Sequence, residues 1–151
     1  MMARLLTTLL LLALAPLSQA QIQAPAQAVA LDASDTGSYA IIDVDGKVTD
    51  KVFRVLLNGT QWRLESRKPD GGWEDVSCQG DCQLRVSSEQ DLRRIFSVVE
   101  LPTPTPACVH NKAFAFCRYT APTALAGTPS HALFAIVNPR PIQIRLSRLT
   151  P

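Results

Sequence analysis

Apolar and polar residues alternate along much of this chain, and the alternation predicts strands. Residues 39–44 are rich in β-branched and aromatic side chains and run into Asp45-Gly46, a favoured tight-turn pair. Residues 52–57 follow and meet Asn58-Gly59, the strongest short-range hairpin signal a sequence can carry. Across residues 60–66, Trp62 and Leu64 share one face while Gln61, Arg63 and Glu65 share the other. Pro69-Asp70-Gly71-Gly72 predicts a further turn, and residues 73–78 continue as a short strand. Later, Phe114 and Phe116 alternate with Ala113, Ala115 and Cys117 within residues 112–119. Residues 132–137 (Ala-Leu-Phe-Ala-Ile-Val) form a continuous apolar run, the mark of a strand buried on both faces. Finally, Ile142, Ile144 and Leu146 alternate with Gln143, Arg145 and Ser147.

One stretch changes period. Leu92, Ile95 and Phe96 fall at i, i+3 and i+4, with Ser87-Ser88 ahead of them as N-cap and Gln90 and Asp91 placed to bond back to the cap. Glu89 and Arg93 stand four apart on the wet face. A short helix of about two turns is expected, its stripe serving as core contact. The Leu-Pro-Thr-Pro-Thr-Pro run at 101–106 reads as extended chain outside any central strand. The expected fold is mainly β: a single small antiparallel barrel or sandwich of about seven strands, stapled by disulfides, with the helix packed over one opening or edge.

The N-terminus narrows the setting. Arg4 precedes a nearly all-apolar run over residues 5–14, broken by Pro16 and followed by Ser18-Gln19-Ala20. A basic start, an apolar centre and a small-x-small site predict a signal peptide over residues 1–20, cleaved before Gln21. Residues 21–37 then form a loose Ala- and Gln-rich leader, and residues 38–151 the β-rich domain, located in the periplasm or outside the cell. In an oxidising compartment Cys78, Cys82, Cys108 and Cys117 are expected as two disulfides. The local pairing, Cys78–Cys82 and Cys108–Cys117, is preferred over one that ties the 78–82 segment to 108–117. The spacings match no common zinc site, and no metal is expected.

The charge is small, a formal net of +2, which does not suit a binder that neutralises many phosphates, so nucleic acid is not an expected partner. Its distribution is uneven. All 13 acidic side chains precede residue 101, whereas Lys112, Arg118, Arg140, Arg145 and Arg148 have no acid near them in sequence. The simpler reading is that the two halves pair in one sheet and neutralise each other; the alternative is two patches of opposite sign.

For chemistry, only His110 and His131 could serve a serine triad, and neither sits in a Gly-x-Ser-x-Gly context; both are expected to be surface or loop-packing residues. Asp43-Val44-Asp45-Gly46 lacks the remainder of a calcium loop, and Asn58-Gly59-Thr60 matches a glycosylation sequon that the hairpin also explains. Asp70, Glu74, Asp75 and Asp81 cluster around the 78–82 loop and could furnish paired carboxylates. The short strands leave little room for a sugar cleft, so neither enzymatic activity nor a cofactor is expected. Trp73 beside these acids instead suggests a protein-binding edge formed by Asp70, Trp73, Glu74, Asp75, Gln79 and Asp81.

In outline the chain resembles small periplasmic binders and inhibitors. The leading expectation is an exported inhibitor or immunity protein whose partner is a secreted antibacterial hydrolase, with the Cys78–Cys82 link holding the acidic edge rigid. Two alternatives are an envelope or secreted structural module, assembling through an exposed sheet edge at residues 142–149, and a small hydrolase using the acidic cluster. No membrane span is expected once the leader is removed.

Overall fold

Local turn chemistry builds the first half of the molecule. The computed structural model describes residues 30–77, 83–97, 100–120, 129–136 and 140–150. Strands β1 (Gly37–Ile42) and β2 (Val48–Asn58) pair antiparallel around a loop at residues 43–47. There the Asp43 carboxylate accepts from the N–H groups of Asp45 and Lys47 at 2.9 and 2.8 Å. This side-chain scaffold makes the connection longer than the two-residue turn that Asp45-Gly46 suggests. The next hairpin joins β2 to β3 (Gln61–Arg67) where expected, but the turn starts one residue later. Asn58 pairs with Gln61, and Gly59 takes the first loop position at φ +63°, a conformation costly for any residue with a Cβ. After a turn at residues 68–72, β4 (Trp73–Asp75) returns along β3.

The second half adds β5 (Arg85–Val86), helix α1 (Glu89–Ile95), β6 (Ala107–His110), β7 (Phe114–Thr120), β8 (Pro129–Ala135) and β9 (Ile142–Arg148). All strands join one antiparallel sheet in the order β4-β3-β2-β1-β9-β8-β7-β6-β5. It holds nine strands rather than about seven, because β5 and β6 carry no readable period. The first spans two residues, and every residue of the second is buried, so neither alternates. The sheet curls into a half-barrel, with a bridge between Trp62 and Leu84 drawing its two ends together.

Curling gives the sheet two distinct faces, each with its own apolar cluster. The concave side holds Tyr39, Val55, Trp62, Leu64, Leu84, Val109, Phe116 and Leu133, drawn from both ends of the sheet. On the opposite face of β6–β8, Leu92, Ile95 and Phe96 of α1 pack on Cys108, Ala115, Cys117, Ala132, Phe134 and Ile136. Leu133 and Phe134 thus point into different clusters, as a strand buried on both faces requires. The helix covers this outer face rather than a barrel opening or edge, because its apolar stripe packs on the second apolar cluster, formed by β6–β8. Its N-cap is the expected Ser88, with Asp91 completing a capping box.

Cys108 and Cys117 are directly paired residues of β6 and β7 and form a disulfide beneath the helix. Cys78 and Cys82 lie outside the described residues. Strand β9 is held between β1 and β8, so residues 142–148 are not the exposed edge that the sequence suggested. Of the cations that follow residue 101, Arg118 bonds the Asp35 carboxylate, while Arg145 donates to the Asp43 carbonyl and Arg148 to the Thr36 carbonyl. Residues 30–37, ahead of the expected domain start, belong to this structure. Among the described residues, no helix is long and apolar enough to cross a membrane.

Candidate functional site

The acidic edge read from the sequence lies at one end of the sheet. β3 alternates, so Trp62 and Leu64 face the concavity while Arg63 and Glu65 face outward. Register then sets β4: Asp75 pairs with Glu65, Glu74 with Ser66, and Trp73 with Arg67. Trp73 and Asp75 therefore share the outer face, and alternation turns Glu74 to the other side. Trp62 and Trp73, close in sequence, lie on opposite faces. The Arg54 guanidinium stands 4.3 Å from the centre of the Trp73 ring and also bonds Glu65.

Asp75 is pinned. Arg63 donates to it twice, at 3.1 and 2.7 Å, and the Ser77 N–H donates at 2.8 Å. Partial burial pushes its carboxyl up, but the bonds from Arg63 and Ser77 outweigh this and hold it below the usual carboxylate range. Asp70 is exposed; its carboxylate accepts from Gly72 N–H at 2.8 Å and stands 3.7 Å from Lys68. Glu74 is exposed as well. Of the expected site, Asp70, Trp73, Glu74 and Asp75 come together on one edge, while Gln79 and Asp81 lie outside the described residues. Ser77 and Leu84, on either side of residues 78–82, both reach β3. The Ser77 hydroxyl accepts from Leu64 N–H at 2.7 Å and donates to Leu64 O at 3.1 Å, Asn111 donates to Ser77 O at 2.8 Å, and Leu84 bridges to Trp62.

Sequence patterns did not reveal the second cluster. A cavity of about 210 Å³ opens beside α1, lined by residues that include Arg85, Asp91, Arg94, His110, Lys112 and Ile136. His110 is buried; its Nδ1 lies 2.8 Å from the Ser87 hydroxyl and its Nε2 lies 3.3 Å from Asp91. Burial pushes its pKa down, with Arg85 and Arg94 acting the same way and Asp91 opposing. Asp91 itself is pushed up by burial, but bonds from Ser88 and the charges of His110 and Arg85 hold it low.

Ser87, His110 and Asp91 are the residue types that activate a serine nucleophile. Here, however, Asp91 is committed to the capping box, and Ser87 is not among the groups lining the cavity. The arrangement fixes the imidazole rather than presenting a hydroxyl. The only sequence signal for this site is the polar His110-Asn111-Lys112 run between two apolar strands.

A third cluster ties the segment ahead of β1 to β7 and β8. The Asp35 carboxylate is 1% exposed and accepts from Arg118 at 2.8 Å and from Asp32 N–H at 2.9 Å, with His131 Nε2 at 2.9 Å. Tyr39 donates to Asp35 O at 2.7 Å, and burial pushes its own pKa up to about 12. His131 stacks on Phe116, and its pKa is lowered by burial despite the Asp35 bond, with Arg148 and Arg118 adding to the depression. Both histidines thus sit in strands with partnered rings instead of on the surface or in loops. Comparison with family models, with curated proteins and with solved structures finds no match.

Proposed function

We propose that this chain is an exported β-domain that binds a protein partner through its β4 edge, as an inhibitor or immunity protein for a secreted antibacterial hydrolase. One observation carries the reading: Trp73 is half-buried and held by Arg54 on the outermost strand, next to exposed Asp70 and Glu74. A clamped aromatic loses little freedom on binding, which suits it as an anchor. The exposed acids of the same edge, Asp70 near Lys68 and Glu74 on the opposite face of β4, would steer a basic partner. Asp75 takes a different part from the one its sequence position suggests, since Arg63 neutralises it and it stiffens the edge. A disulfide between β6 and β7 is compatible with an oxidising, exported location. The reading as a structural module loses its proposed contact, because β9 lies inside the sheet.

The test is titration of the mature chain against secreted cell-wall hydrolases, reading enzyme inhibition and complex size. A one-to-one complex is expected, weakened about 100-fold by Trp73→Ala and less by the double variant Asp70→Lys and Glu74→Lys. A complex that keeps its affinity in all these variants would overturn the assignment of the edge. Large homo-oligomers with no inhibition would favour the assembly reading instead.

A further inference from the structure

We infer that the cavity beside α1 is a binding site for a small phosphate-bearing anion, gripped by Arg94 and Lys112 with Arg85, while His110 lines the wall beside them. This site is separate from the β4 edge and does not depend on the partner reading. Three permanent cations line it against a single carboxylate, Asp91. That carboxylate is already occupied: it accepts from Ser88 N–H at 2.9 Å and from the Ser88 hydroxyl at 2.7 Å, and it faces Arg85 at 3.6 Å and His110 at 3.3 Å. Among the described residues neither Arg94 nor Lys112 has a carboxylate within ion-pair distance. Uncompensated cations converging on a concavity focus a positive potential there, and a doubly charged phosphate meets it best.

The scaffold fixes the backbone from which these charges project. Arg94 stands on α1 and Lys112 on the β6–β7 connection, and the Cys108–Cys117 disulfide ties β6 to β7 beneath the helix. His110 is oriented from both ring nitrogens, by Ser87 and by Asp91. Ile95 and Ile136 supply an apolar wall. The cavity volume of about 210 Å³ leaves room for an organic group attached to the phosphate.

Inorganic phosphate titrated into the full chain by calorimetry at constant ionic strength tests the site, with succinate as a dianion that is not a phosphate. Saturable one-site binding is expected, weakened about tenfold or more in the double variant Arg94→Gln and Lys112→Gln, and unchanged in Arg145→Gln on β9. Both substituted side chains are exposed, so the melting temperature of the double variant should stay at the wild-type value. In the wild type, phosphate should also shift the His110 ring resonances, a readout that does not rely on any variant. A dissociation constant above about 10 mM, unchanged affinity in the double variant, or succinate binding as tightly as phosphate would each overturn the inference.

Discussion

Replacing Asp35 by Asn removes one negative charge from the buried cluster with Arg118 and His131 while keeping the side chain's volume, so no cavity contributes to the result. The amide oxygen can still accept from Arg118 and Asp32 N–H, which share one carboxylate oxygen in the native protein. The amide nitrogen then faces His131 Nε2, and a neutral imidazole can accept there by changing tautomer. What remains is the loss of charge opposite Arg118, whose side chain is only 17% exposed. A charge-assisted bond of this kind is worth about 1.5–3 kcal/mol, and little solvent is available to replace it. The expected cost is therefore about 2–3 kcal/mol, or a fall in melting temperature of about 10 °C for a domain of this size. Urea unfolding at pH 7.5 measures the first and calorimetry the second. Asp32→Asn is the control: that carboxylate is 3.6 Å from Arg118 and largely exposed, and Asn can still cap the Ser34 N–H, so the urea midpoint should not move measurably. A double cycle with Arg118→Met should show coupling of at least about 1 kcal/mol. If Asp35→Asn cost less than about 1 kcal/mol, or if no coupling appeared, the cluster would not be the lock that fastens residues 30–36 to the sheet.

Two further outcomes follow from the same structure. His110 and His131 both have folded-state pKa values below the ordinary 6.5, mainly through burial, so the unfolded chain takes up protons first as the pH falls. Their contribution is complete above about pH 6.5 and is lost as the pH drops through that value toward their folded pKa values. Urea midpoints should fall from pH 7 to pH 5, less so in the double variant His110→Gln and His131→Gln; a flat or rising profile would contradict the burial argument. The disulfide closes a loop with a sequence separation of 9, which the chain-entropy model values at roughly 2.5 kcal/mol, so Cys108→Ala with Cys117→Ala should lower stability by about that amount in denaturant titration. A loss under about 1 kcal/mol would mean that the packing of α1 alone holds β6 against β7.

How much of this was legible depended on the range of the interaction. The Asn58-Gly59 hairpin, the Ser88–Asp91 capping box and the doubly buried strand β8 all rest on neighbours a few residues apart; the box forms where the pattern places it, the hairpin turn begins one residue later, and β8 spans Pro129–Ala135 where the pattern marks 132–137. Strands β5 and β6 were invisible because a two-residue strand has no period and four consecutive buried residues hide theirs. At the candidate edge, the sequence placed Trp73 among acids but could not show Arg63 neutralising Asp75, since that pairing depends on the register of β3 against β4. The cationic cavity was less visible still, because Arg85, Arg94, His110 and Lys112 come from four separate elements and connections.

The sequence by itself determined the strand-rich character, the principal hairpins and the capped helix, because period, turn residues and capping groups act over a few peptide units; it favoured the Cys108–Cys117 pairing without fixing it. Only the tertiary structure decided that the sheet curls until Trp62 meets Leu84, that α1 covers the outer face, and that Asp35 meets Arg118 and His131 at separations of 83 and 96 residues. Those contacts depend on accumulated strand twist and on which face each strand buries. Both are properties of the assembled sheet, and no single segment of the chain encodes them.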